Sequence, residues 1–392
     1  MKLLHTADWH AGRQLKGVDR TPEIAEALEE LAELAAYEAV DLVLVSGDIF
    51  DKKQPSPQAE ACVYRFFHRL AEAGIPSVVV AGNHDSSQRL EAHKDILALA
   101  RARVFGEPRV SSDGGVFWLE LAKERVCIAA LPFISERRLL RFEALIENNA
   151  GQWLSNYRKG MRAMVNNLCQ AFSPDSVNLL LMHTTMEAAE LSHSEYRFHC
   201  TEAYTLPADI VPDSCNYAAL GHIHRAQSIQ GLAENSARYS GSLIQLDFGE
   251  AGDHKYAYIV EARAGKPSQL VREYRIQAGE PLHQVHIDLA REELEPALFK
   301  LSDLGGWLKL RLSMERPIPG LKDRIKEQLP RVLAVELNLP EQRQEAREQL
   351  ALEQLHIPES FERYYEEMKM QAIPADVKAA FNALYQAYYD RS

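Results

Sequence analysis

No apolar run in this chain approaches the roughly 20 residues that a bilayer crossing needs, so no membrane partner is expected. Cysteine is sparse: Cys62, Cys127, Cys169, Cys200 and Cys215 stand apart, with no Cys-x-x-Cys pair. That pattern argues against a disulfide framework or a cysteine zinc site, and for reduced thiols in the cytoplasm. Low-complexity segments and internal repeats are absent. Basic residues are the minority, 44 Lys and Arg against 56 Asp and Glu, for a formal charge of −12. Such a charge disfavours gripping nucleic acid over the whole surface, although it says little about one face. The start, Met-Lys-Leu-Leu-His-Thr-Ala-Asp, does not read as a signal peptide. What remains is a chain of 392 residues, 46% hydrophobic and 26% charged. That is the composition of a globular protein with material for two or three domains.

Strand and helix signals alternate over residues 1–105. Apolar runs at 2–6, 41–46 and 76–81 read as buried strands, with helices expected at Pro22–Tyr37, from Pro57 to about Gly74, and from Ser87 to about Ala102. Pro22 after Thr21 suits a helix start, where a missing N–H costs nothing. Residues 104–135, 177–182 and 217–262 again read as strands, with a helical stretch ending near Phe172. The expectation is an α/β fold, two sheets packed face to face with helices outside. A small β-α-β-α-β module follows from about Pro281. A polar helical tail begins near 341, where Phe361, Tyr364, Tyr365 and Met368, then Val377, Phe381, Leu384, Tyr385 and Tyr388, share helix faces. Those faces suit either packing on their own domain or docking a partner.

Five short polar segments each follow an apolar run: Asp8-Trp9-His10, Gly47-Asp48, Gly82-Asn83-His84-Asp85, His183 and Gly221-His222-Ile223-His224. Loops at the carboxyl ends of neighbouring strands converge on one crevice, where open α/β sheets hold their chemistry. The pooled Asp, Asn and His donors can hold two divalent ions with one shared carboxylate, for which Asp48 is the candidate. A lone strand-end histidine is usually a bystander, as His5, His68 and His93 are expected to be. It is the joint, ordered occurrence that points to a dinuclear phosphoesterase.

That ordered set resembles the signature of the calcineurin-like metallophosphoesterase superfamily. His5-Thr6-Ala7-Asp8-Trp9-His10-Ala11-Gly12, Ser46-Gly47-Asp48-Ile49-Phe50-Asp51, Ala81-Gly82-Asn83-His84-Asp85, Leu220-Gly221-His222-Ile223-His224 and Ser240-Gly241-Ser242 resemble its bacterial double-strand-break nucleases. The resemblance implies a nuclease domain over 1–275, a small α/β capping domain over 276–340 and a helical tail over 341–392 that docks a partner. It implies one metal at Asp8, His10, Asp48 and His224 and a second at Asp48, Asn83, His183 and His222, both manganese. His84 would donate a hydrogen bond or proton during phosphodiester hydrolysis, and Asp85 would support His84 or its loop. DNA would be the substrate, and an SMC-like ATPase the partner, in a heterotetramer of two chains of each kind. A homodimer through the nuclease domain is also implied.

Two positions depart from the pattern. Asp51 stands where archaeal and eukaryotic relatives carry a second histidine, and Glu187-Ala188-Ala189-Glu190-Leu191 replaces a glycine-rich loop, which leaves substrate contacts near 187–195 open. The alternative, a protein or small-molecule phosphatase of the same superfamily, is less well matched. Phosphoprotein phosphatases continue Gly-Asp with an Asp-Arg pair and Gly-Asn-His with Glu, whereas Asp51-Lys52 and Asp85 stand here.

Overall fold

The computed structural model describes residues 1–135, 157–187, 189–192, 205–232 and 236–339, with 361, 365, 373–375 and 377–382. Most of the expected tail, and Ser194-Glu195, lie outside these residues. The first six-stranded sheet runs, in spatial order, Gln269–Arg275, Tyr256–Glu261, Lys2–Thr6, Leu42–Val45, Ser77–Val80 and Ala102–Phe105. The last four are parallel, and Tyr256–Glu261 joins Lys2–Thr6 antiparallel. In the second sheet the order is Gln227–Ser228, Ala237–Tyr239, Tyr217–Gly221, Val177–His183, Glu124–Leu131 and Val116–Leu121.

Period-two alternation, with both faces covered, explains why the strands are apolar on both faces. Leu3, Leu42, Leu44, Val78 and Val80 point to a shared layer with Val126, Ile128, Leu179, Leu181, Tyr217 and Ala219 of the second sheet. Leu4, Val43, Val45 and Val79 face the other way, against helices Thr21–Tyr37 and Pro57–Glu72. Leu180, Met182, Ala218 and Leu220 pack with Met161, Met164, Val165 and Leu168 of helix Tyr157–Cys169. The result is the expected pair of sheets enclosed by helices.

A three-stranded sheet, Leu282–Asp288, Trp307–Ser313 and Val332–Asn338, follows with helices Leu294–Ser302 and Leu321–Gln328. By contacts the chain divides into two compact units, 1–284 with 304–309 and 330–334, and 285–303 with 310–329 and 335–392.

Three local expectations shift. Helix Thr21–Tyr37 includes Thr21 rather than being capped by it, because Asp19 Oδ1 accepts from the Thr21 N–H (3.0 Å) and hydroxyl (2.6 Å). The third helix ends at Leu99, since Ala102 pairs with Ser77 as a strand. Gln269–Arg275 is an edge strand that is mostly solvated, so its sequence carries no apolar run to announce it.

Candidate metal centre

Every expected donor sits just beyond, or on the last residue of, a central strand. Asp8 N–H donates to Gly47 O (2.9 Å) and His10 N–H to Asp48 O (3.0 Å), so the first two loops run side by side. Trp9, fully buried, donates from Nε1 to Thr6 Oγ1 (2.9 Å) and packs edge-on against Phe66 of helix Pro57–Glu72, which pins the loop between its two donors. Asp8, His10, Asp48 and His222 all lie at positive φ (52°, 49°, 50° and 106°). Such backbone costs about 1–3 kcal/mol per residue and clusters at functional sites. Gly47 has φ 93°, and a Cβ there would collide with the His183 ring and the Gly82 backbone.

The side chains converge in three overlapping triads, Asp8 with His10 and His224, His10 with Asp48 and His84, and Asp48 with His183 and His222. His10 Nε2 lies 3.2 Å from His224 Nε2 and 3.6 Å from Asp48 Oδ2, so it links the first triad to Asp48. At the third, His183 Nε2 lies 3.0 Å from Asn83 Oδ1 and 3.4 Å from Asp48 Oδ2, while His222 Nδ1 lies 2.8 Å from Asn83 Oδ1. Asp8, His10, Asp48, His183, His222 and His224 are buried, and Asn83 and His84 are half-buried.

Proton positions test whether cations fit. Glu250 Oε1 accepts from His224 Nδ1 (3.0 Å), and the Ser46 carbonyl accepts from His183 Nδ1 (2.8 Å). A neutral imidazole so held presents a lone pair at Nε2. The His224 lone pair faces His10 Nε2 at 3.2 Å, an approach that a cation between them relieves. The donor set, mixed oxygen and imidazole nitrogen, suits divalent ions.

Electrostatics agree. Burial pushes Asp8 up to about 7, partly offset by His183 and His224. Burial also holds His10 down to about 4. Against burial, His183, His84 and His10 keep Asp48 well below the usual carboxylate range, and against burial Asp48 lifts His183 to about 9. Asp48 thus draws positive charge into the crevice.

The remaining expected residues have clear places. His84 N–H donates to Asp48 Oδ1 (2.8 Å), and its Nδ1 lies 3.0 Å from the Asp51 carbonyl. Asp85 accepts three backbone N–H groups, from Gly82 (2.9 Å), Phe50 (2.9 Å) and Ile49 (3.2 Å), so it supports the loop, tying the Asp48 loop to the Asn83 loop. Asp51 Oδ1 lies 3.4 Å from His10 Nδ1, a close ionic approach rather than an aligned hydrogen bond, and 3.2 Å from Arg13 Nη1. Despite burial, His10 and Arg13 bring its pKa to about 2. Glu250 is a site residue that sequence reasoning misses. No spacing links it to His224, and a short stretch reading Asp-Phe-Gly-Glu carries no distinctive signal. His5, expected to be a bystander, is buried between Tyr217 OH (2.8 Å) and Ser46 Oγ (3.3 Å) behind the centre.

Metal-capable triads around a shared carboxylate, at the carboxyl ends of a two-sheet sandwich, define the class as a metallophosphoesterase. The chain belongs to the calcineurin-like phosphoesterase family, which residues 1–226 match, and within it to the SbcD nucleases. Residues 279–369 match the type 5 capsule protein repressor C-terminal domain family. The SbcD component of the nuclease SbcCD from Bacillus subtilis (strain 168) is 30% identical over 378 residues, covering 95% of each chain. Its counterpart from Escherichia coli (strain K12) is 28% identical over 384 residues, covering 93% of this chain and 92% of the other. A solved dimetal phosphatase from Danio rerio is similar at 13% identity and a TM-score of 0.41, over 70% of this chain and 99% of its own.

Proposed function

We propose that this chain is a metal-dependent DNA nuclease, cleaving phosphodiesters at DNA ends and hairpins in double-strand-break repair as the nuclease component of a complex with the SMC-like ATPase SbcC. The sharing of Asp48 between two buried donor sets, with His84 at the mouth, carries the reading. Asp8, His10, Asp48 and His224 would hold one ion, and Asp48, Asn83, His183 and His222 the other. Manganese is the proposed metal, by likeness to the family. Two such ions, when bound, neutralise charge on phosphoryl oxygens and favour deprotonation of an attacking water.

The protein's own groups do the rest. His84 Nδ1–H donates to the Asp51 carbonyl, so its Nε2 faces substrate and, in the protonated form, gives a proton or hydrogen bond to oxygen charge that develops at phosphorus. Asp85 keeps the two loops in register. The strained backbones of Asp8, His10 and Asp48 hold their side chains in place before substrate arrives.

Partners are proposed on the same footing: two nuclease and two SbcC chains, with the tail docking SbcC. Ile96 and Leu99, exposed on helix Ser87–Leu99, support a homodimer contact through the nuclease domain. Cys62, Cys127, Cys169 and Cys215 are buried free thiols, which fits the cytoplasm.

The test is hydrolysis of hairpin and linear duplex DNA with Mn2+, alone and with SbcC, beside p-nitrophenyl phosphate. DNA cleavage is expected. Turnover of the phosphate monoester alone, even with SbcC present, would favour a phosphatase instead.

A further inference from the structure

His224, His10 and His183 are backed unequally. His224 donates from Nδ1 to Glu250, a carboxylate with no solvent exposure. Glu250 is held in turn by Lys255 Nζ, by the Ser242 hydroxyl (3.2 Å) and by the Leu246 N–H (3.2 Å). Lys255 Nζ also donates to the His224 carbonyl (3.1 Å), so one buried ion pair grips the residue at both its side chain and its backbone. Across from it, His10 has the Asp51 carboxylate at 3.4 Å from Nδ1, and Asp51 is paired with Arg13. His183, on the other side of Asp48, has the neutral Ser46 carbonyl at Nδ1. Direct donors follow the same trend. The Asp8, His10, Asp48, His224 set contains two carboxylates, whereas the Asp48, Asn83, His183, His222 set contains one, and that one is shared.

A carboxylate behind a histidine fixes its tautomer and ring orientation and makes the coordinating nitrogen a stronger base; losing such a partner typically lowers metal affinity about 10–100-fold. We propose that Glu250, aided by Asp51, is a positioning residue that makes the two ion positions unequal, so that the Asp8, His10, Asp48, His224 position fills first and holds its ion more tightly. The inference rests on the reading of these residues as metal ligands. Under it, the tighter ion is a standing part of the folded enzyme. The ion beside Asn83, which is half-buried, exchanges more readily and is the one whose loading varies with free Mn2+.

Mn2+ binding to the full chain, followed by electron paramagnetic resonance and equilibrium dialysis, tests it without recourse to activity. The wild-type protein is expected to bind two ions in two distinct steps. Glu250→Gln should raise the dissociation constant of the tighter step about 10–100-fold and leave the weaker step unchanged, and Asn83→Ala should remove the weaker step alone. Glu250→Gln leaves Lys255 without a carboxylate, so Asp51→Asn serves as the second variant. Its partner Arg13 has a side chain 24% exposed, and no buried cation is stranded. Asp51→Asn should also weaken the tighter step selectively. A general loss of structure would lower both steps together. Two ions of equal affinity in the wild type, or an unaltered tighter step in both carboxylate variants, would overturn the inference. Fewer than two ions in the wild type would overturn the dinuclear reading along with it.

Discussion

His84 stands half-buried, like Asn83, beside aspartate and histidine donors that are almost wholly sealed. Its backbone N–H is tied to Asp48 and its ring lies beside His10 and Asp48, yet the proposal assigns that ring to neither donor set. His84→Ala should therefore keep both ions, measured by elemental analysis, and lose about 10²–10⁴-fold in turnover on DNA. A normal rate at full metal content would remove its role. The neighbouring proposed ligands carry protons that a bound metal would displace. His183, lifted to about 9 by Asp48 against burial, and Asp8, raised to about 7 by burial, are both substantially protonated at pH 6 in the metal-free protein. Ion binding then releases protons, and Mn2+ affinity should climb as pH rises from about 6 toward 9. Calorimetry at pH 6 in two buffers of different ionisation enthalpy reads this directly, with unequal heats expected and equal heats contrary to it.

Loops at strand ends set the donors, and their geometry depends on a few backbone positions. Gly47→Ala would force an L-residue to φ 93°, costing about 1–2 kcal/mol before its Cβ meets His183. A lower unfolding temperature of the metal-free protein and reduced metal content are expected together; unchanged metal content would show that the loop can shift without disturbing Asp48. The central strands were legible in sequence because burial on both faces leaves near-continuous apolar runs, as in Leu42–Val45 and Val177–His183. The donors were legible because each follows such a run. What escaped was either solvated, like edge strand Gln269–Arg275, or dependent on tertiary approach. Glu250 meets His224 only because a loop folds back after Tyr239, and approaches of that kind have no period and no motif. Asp85, by contrast, was expected to support His84 or its loop, and it accepts three backbone N–H groups from two loops.

At the scale of the molecule, a charge of −12 disfavours gripping DNA over the whole surface. Two divalent ions, if bound, would place about four positive charges where a phosphate would sit, and the proposal assigns the remaining affinity to the partner. Phe361 stacks on Phe381 with ring centroids 3.9 Å apart, so part of the aromatic tail is engaged within the tail itself. Deleting 341–392 should abolish co-purification with SbcC while sparing Mn2+ binding; intact association would refute the docking assignment. Anomalous diffraction at the manganese edge, from crystals of the full chain grown with Mn2+, bears most directly on the shared centre. Two peaks flanking the Asp48 carboxylate are expected, one against His10 and His224 and one against His183 and His222. A single peak, or two that leave Asp48 uncoordinated, would contradict it.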